Sequence, residues 1–317
     1  MRVVVVGCGY VGIELVAQLA ARGHVVTGVR RSDAGLDAIE AVGAELDEEA
    51  GSETERKATH GAVDAVRADV TEPSSLNALP DADAVVFAAS SGGRGAEAAR
   101  EVYVDGLENV IEAYAARPSP PDRLVYTSST GVYGDHDGAW VDEETPIDPT
   151  TEKTRVLAEA ERIGLETAES AGIDGTVARF AGLYGPDRYR LDRYLDGPVT
   201  AGYLNMVHRD DAAGAIRHLL ETDRARGEPV VVVDDEPVDK HAFADWLADE
   251  CGVPRPTKQS KDERIAAGDL SAAAERRIRT SKRCSNDRLR ALGYKFSYPT
   301  FREGYRDAVQ SFREAEE

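Results

Sequence analysis

Residues 2 to 12, RVVVVGCGYVG, constrain the fold more than any other stretch of the chain. Four consecutive valines, Val3 to Val6, are β-branched and favour a strand buried on both faces, as in the middle of a parallel sheet. The run breaks at Gly7, Gly9 and Gly12 and passes into GIELVAQLAARG. There Ile13, Val16, Ala17, Leu19 and Ala20 share one helical face and Gly23 supplies the stop. Strand, glycine turn and helix in this order predict a dinucleotide-binding turn. Gly7 allows the sharp bend, Gly9 lets the backbone approach a pyrophosphate, and Gly12 lets the helix pack close to the strand. Tyr10 and Val11 open the helix, whose N-terminus offers N–H groups and partial positive charge to that anion. The alternative is a glycine turn that serves packing alone.

HVVTGVRRS, His24 to Ser32, reads as a second strand running into a loop. Sites that prefer NAD place an acid about 20 residues beyond the glycines, where it binds the ribose 2′-hydroxyl. Here the strand ends in Arg30, Arg31 and Ser32, with no acid before Asp33. An arginine can hydrogen-bond a 2′-phosphate and stack on adenine, so NADP is expected, with NAD as the alternative. A pair of solvated arginines at a strand end is the competing explanation.

Strand and helix signals then alternate. Residues 33 to 43 suggest a helix, and the polar, acidic stretch from Ala44 to Ala62 predicts a surface insertion or an exposed extension of that helix. AVDAVRADV gives a third strand with Asp69 and Val70 at its carboxyl end. Residues 83 to 93 give a fourth, breaking into a small-residue loop. Such loops let a ligand lie against backbone, which puts Ala88, Ala89 and Ser90 near the cofactor. A helix over 96 to 116, a strand ending in hydroxyls at RLVYTSSTGVYG, a helix over 152 to 171 and a strand in GTVARFAGLYGP complete the alternation. The expectation is an α/β fold: a Rossmann-type, doubly wound parallel sheet.

Net charge of -20 sets a field that repels nucleic-acid phosphates, so no nucleic-acid partner is expected. The acidic excess is spread along the chain and matches the composition of a protein adapted to high salt; a merely acidic mesophilic protein is the alternative. No apolar run approaches membrane-spanning length and the N-terminus enters a strand directly, so no membrane partner and a cytoplasmic location are expected. Cys8, Cys251 and Cys284 lack paired spacing, and the six histidines form no HxxxH pattern. Neither disulfides nor a metal site is expected.

The landmarks together resemble the extended short-chain dehydrogenase/reductase family, NAD(P)-dependent epimerases, dehydratases and reductases. The pieces are GCGYVG (7–12), ADV (68–70), VVFAAS (85–90), LVYTSSTGVYG (124–134), RFAGLYGPDR (179–188), HRDDAAGAI (208–216) and SNDRLRALGY (285–294). The resemblance implies a smaller C-terminal substrate lobe of residues 181–207 and 236–317. The dinucleotide domain would then comprise 1–180, with 208–235 returning to it. It also implies a small-molecule substrate and dimerisation through outer-layer helices.

Two departures stand out. The family opens with TGxxGxxG, whereas this chain has GxGxxG. The family's catalytic Tyr-xxx-Lys pair falls on Thr151 and Arg155 when Glu159 is aligned with the motif's final glutamate. Threonine has no accessible pKa for the tyrosine's proton transfer. Ser129 matches the serine that hydrogen-bonds the reacting oxygen, and Tyr133 is the nearest substitute phenol, with Arg155 as a positive neighbour. Tyr133 could equally be a turn aromatic packed under its loop. On the substrate side, Arg188, with Arg190 and Arg193, could bind an anion or form a salt-bridged helix face. Asn205 and Arg209 are further substrate candidates, and Asn205 could instead satisfy a turn. Asp210 and Asp211 are expected to cap the following helix. The reading is an NAD(P)-dependent oxidoreductase or epimerase/dehydratase-like enzyme acting on a carbonyl or sugar-derived substrate. The rival is a non-catalytic NADP-binding sensor or regulator.

Overall fold

A computed structural model describes residues 1–50, 60–91, 95–268 and 270–316. The middle of the acidic stretch expected as an insertion, residues 51–59, and the loop glycines Gly92 and Gly93 lie outside the described residues. Val3 to Val6 form β1 (Arg2–Val6), with each valine no more than 1% exposed, as two-faced burial requires. The chain continues through α1 (Tyr10–Ala21), β2 (Val25–Arg30), α2 (Asp33–Ala50), β3 (Val63–Arg67), β4 (Ala84–Phe87) and β5 (Arg123–Ser129). Strands Asp174–Phe180 and Glu228–Val232 complete a seven-stranded sheet.

The spatial order is Glu228–Val232, Asp174–Phe180, β5, β4, β1, β2, β3. β1 pairs in parallel with both β2 and β4, and β3 and β5 extend the two sides in parallel. The chain winds outward from β1 to β3, then returns to β4 and winds the other way. That reversal opens a crevice at the carboxyl ends of β1 and β4, where ligands bind doubly wound sheets. One face is covered by the helical stretch 96–115, in which Ala96–Arg100 and Gly106–Ala115 flank a π-helical turn at Glu101–Asp105. Leu107, Val110, Ile111 and Tyr114 from it join Val85, Phe87, Leu124 and Tyr126 of the sheet in one buried cluster.

α2 runs past Gly43 to Ala50, so the extended-helix alternative holds as far as the described residues go. Gly43 stays helical and faces Val63 of β3, where a Cβ would make ordinary contact at 3.4 Å. The fifth strand ends in hydroxyl residues as expected, at Ser129, and the aromatic Tyr133 follows in a 3-10 turn, Thr130–Tyr133.

The described residues divide into two compact units, Met1–Ser129 with Glu152–Arg179 and Ala212–Val230, and Thr130–Thr151 with Phe180–Asp211 and Val231–Glu317. Residues 130–151, read from sequence with the dinucleotide domain, thus fall in the second unit. The reason is tertiary: Trp140–Val141 pairs in parallel with Arg283–Cys284. Residues 208–211 join it as well, through Asp211. That carboxylate accepts hydrogen bonds from the Tyr294 hydroxyl and from the Ser297 and Tyr298 amides, each at 2.8 Å. It ties down the 294–298 segment instead of capping the helix, which already begins at Arg209. The second unit has its own aromatic core, including Tyr184, Tyr194, Phe243, Phe301 and Tyr305. Among the described residues no helix is long and apolar enough to cross a membrane.

Candidate functional site

The glycine turn is built by backbone contacts. Gly7 has φ of 93°, in the left-handed region that favours glycine, and a Cβ on it would lie 2.3 Å from Ala89 Cα. A Cβ on Gly12 would lie 2.6 Å from the Gly7 carbonyl oxygen. These two glycines are therefore demanded by the protein itself. Gly9 is different: its Cβ would meet nothing closer than the Arg30 guanidinium at 3.6 Å. Protein atoms do not explain that glycine, whereas a pyrophosphate lying against the backbone would. The first intrahelical bond runs from Ile13 N–H to Gly9 C=O at 2.9 Å, so the Val11 and Gly12 amides precede it at the helix's positive end. Cys8 is a buried filler: its thiol donates to the Val5 carbonyl at 3.3 Å, and burial pushes its pKa up to about 12.

A groove of about 390 Å³ opens beside the turn, within the size range of small-molecule sites. Gly7, Arg30, Arg31, Ser32, Asp69, Val70, Ala89 and Ser90 of the expected contacts line it. Gly9, Tyr10, Val11, Gly12 and Ala88 do not, although Ala88 hydrogen-bonds its amide to the Val6 carbonyl and so fixes the adjoining loop. Val6, Val29, Ala68 and Val102 supply apolar wall that sequence reading did not single out. The signal available was position, since three of them end strands or follow them at the same level of the sheet.

Charge in the groove is arranged unevenly. Burial would raise the Asp69 carboxyl, but the Thr71 amide at 3.0 Å, the Thr71 hydroxyl at 2.8 Å and Arg31 at 3.4 Å outweigh it and hold the group below its ordinary range. Asp69 is thus an anion partnered by Arg31. Arg30 has no hydrogen-bond or ion-pair partner among the described residues. Its guanidinium lies over Gly9, and its side chain fills the space beside Gly35, where a Cβ would come within 3.0 Å of three of its atoms. Arg67, also missed from sequence, donates to the Arg31 carbonyl at 2.8 Å and pairs with Asp33.

The expected chemical residues are less concentrated. Ser129 ends β5 and is half-buried. Its neighbour Ser128 points the other way, into a buried network: Ser128 donates to Glu161 at 2.6 Å, and Arg179 binds the same carboxylate at 2.7 and 3.1 Å. Arg155 is exposed on the helix Glu152–Arg162. Tyr133, in the second unit, is 0% exposed, the environment of a packed turn aromatic. In the same unit Arg188 is exposed, and Arg209 pairs with Asp210 at 2.9 Å. Both ends of the Asn205 amide are taken by backbone: it donates to the Lys282 carbonyl at 2.9 Å and accepts from the Cys284 amide at 2.6 Å. The turn-satisfying alternative accounts for its polar groups.

Comparison with known proteins places this geometry. Protein YeeZ of Escherichia coli K12 is 29% identical over 306 residues, covering 94% of this chain and 96% of YeeZ. A conserved protein of unknown function from Silicibacter pomeroyi has a solved structure 28% identical, with a TM-score of 0.72 and coverage of 98% of each chain. The human epimerase family protein SDR39U1, solved with NADPH, shares the fold at 19% identity and a TM-score of 0.70, with 99% of each chain covered. Residues 3–233 match the profile of the NAD dependent epimerase/dehydratase family, and the chain belongs to that family.

Proposed function

We propose that the chain is an NADP-dependent oxidoreductase or epimerase/dehydratase-like enzyme acting on a carbonyl or sugar-derived substrate. The observation that carries the cofactor choice is Arg30, a guanidinium without a partner among the described residues, over the one glycine of the turn that packing does not require. It supplies the charge-assisted donors that a 2′-phosphate needs, and among the described residues no carboxylate pairs with it. The NADPH in the solved human structure is compatible with that choice. The cofactor, when bound, would supply hydride exchange with a carbon of the substrate. The chain's own contributions are the glycine turn and the α1 N-terminus for the pyrophosphate, the β4 loop at Ala89 and Ser90 as backbone wall, and Ser129 as hydrogen-bond donor to a substrate oxygen.

A second reading, a non-catalytic NADP-binding sensor or regulator, draws support from Thr151 and Arg155 at the family's acid/base positions and from the complete burial of Tyr133. The two readings share one binding test. Calorimetric titration should give tighter binding of NADP than of NAD, and Arg30→Ala should remove about 1.5–3 kcal/mol from NADP binding alone, roughly ten- to a hundredfold in Kd. An NAD preference in the wild type refutes the cofactor assignment. Nicotinamide absorbance change with any member of a carbonyl and alcohol panel separates enzyme from sensor. Undiminished turnover in Tyr133→Phe then excludes that phenol as donor.

A further inference from the structure

We infer that Arg67 is a positioning residue for nucleotide choice, acting by holding the Asp33 carboxylate outside the groove; the inference rests on the reading that the groove takes NADP. β2 and β3 pair in parallel with Arg30 opposite Arg67, so the two side chains leave neighbouring strand ends at the same level. Three arginines therefore meet at this end of the sheet. Arg31 is engaged by Asp69, and Arg67 by Asp33 and by the Arg31 carbonyl. Only Arg30 is left without a partner among the described residues.

Asp33 is the first acid after β2 and opens α2. It stands three residues beyond Arg30, close to where NAD-preferring sites keep a carboxylate for the ribose hydroxyl, and a carboxylate there repels a 2′-phosphate. Asp33 does not line the groove, although its neighbour Ser32 does. Its ion pair with Arg67 draws the charge towards β3, and the bond from Arg67 to the Arg31 carbonyl fixes the loop that would otherwise let it swing back. The pair is open to water, with side-chain exposures of 51% and 88%, and such pairs contribute little to stability. Its consequence is electrostatic placement: two arginine–carboxylate pairs cancel, and the unpaired positive charge is the one over Gly9.

The test is calorimetry on the full chain at about 0.1 M salt, where the screening length is about 10 Å. Arg67→Met removes the clasp and keeps an unbranched apolar stem. It should weaken NADP about tenfold relative to NAD, with NAD binding unchanged or tighter. Adding Asp33→Asn should restore the NADP-to-NAD ratio to near the wild-type value, as a coupled pair requires. An unchanged ratio in Arg67→Met, with the ratio abolished in Arg30→Ala, overturns the inference and leaves the NADP reading standing. Equal weakening of both nucleotides in the single and the double variant also overturns it, because Arg67 would then only support the strand end. If wild-type protein prefers NAD, or Arg30→Ala has no effect, the NADP reading fails first and the inference falls with it.

Discussion

The network beneath Ser129 gives a sharp energetic test. Glu161 and Arg179 face each other with side-chain exposures of only 5% and 8%, and Ser128 donates to the same carboxylate. Glu161→Gln leaves the guanidinium without its counter-charge in a place water does not reach. Breaking a buried pair in this way costs about 3–5 kcal/mol, because the remaining charge loses its compensation. In a chain of this length roughly 2 °C is lost per kcal/mol, so melting should fall by about 6–10 °C. The double variant Glu161→Leu, Arg179→Met should lose less than either single variant, since replacing both charges by apolar side chains can be close to neutral. Urea denaturation of wild type, Glu161→Leu, Arg179→Met and the double variant closes the cycle and measures the coupling directly. A single-variant loss below about 1 kcal/mol, or strictly additive losses, would refute the claim that this pair is desolvated and interdependent.

Gly12→Ala should disrupt the turn, because its methyl group would lie 2.6 Å from a backbone oxygen that cannot move independently of Gly7. A stability loss of about 1–3 kcal/mol and loss of nucleotide binding in titration are expected; wild-type binding would contradict the packing argument. Asp234 is 1% exposed, its Oδ2 has no hydrogen-bond partner among the described residues, and burial holds its carboxyl well above the ordinary range. Between the ordinary and the raised pKa the folded chain binds more protons than the unfolded chain, so this group's contribution to stability is lost as pH rises through that window. Wild type should therefore lose stability relative to Asp234→Asn on going from about pH 4 to neutrality, and parallel stability curves would count against it. If the charge of -20 is a salt adaptation, the melting temperature should climb between low salt and molar KCl; a flat response would reject that explanation.

The fold was most legible where the determining contacts are close in sequence. Val3 to Val6 and the three glycines announce β1, the turn and α1 because chain geometry within a dozen residues decides them. Gly7 and Gly12 carry a structural demand visible from spacing alone, and Arg30 could be placed from the end of β2. What sequence hid was tertiary. Asp211 looks like a helix cap by neighbourhood, yet its partners are Tyr294, Ser297 and Tyr298. Arg67 looks like an ordinary charged strand end until parallel pairing sets it beside Arg30. Asn205 could be read either as a pocket residue or as a turn-satisfying one, and the backbone groups that its amide bonds, at Lys282 and Cys284, are distant in sequence. Residues 130–151 changed units for the same reason, because the two-residue strand there finds its partner at Arg283–Cys284.

The contact of Gly7 with Ala89 has a thermodynamic consequence. Two loops and the start of a helix touch through backbone atoms, with no side chain between them whose rotamers must be frozen. A nucleotide meeting that backbone finds atoms already packed in place, so ordering the turn itself costs little conformational entropy on the protein side. The heat of binding should accordingly resemble that of a solid mould filling, with the far-ultraviolet circular dichroism of the chain unchanged by its ligand.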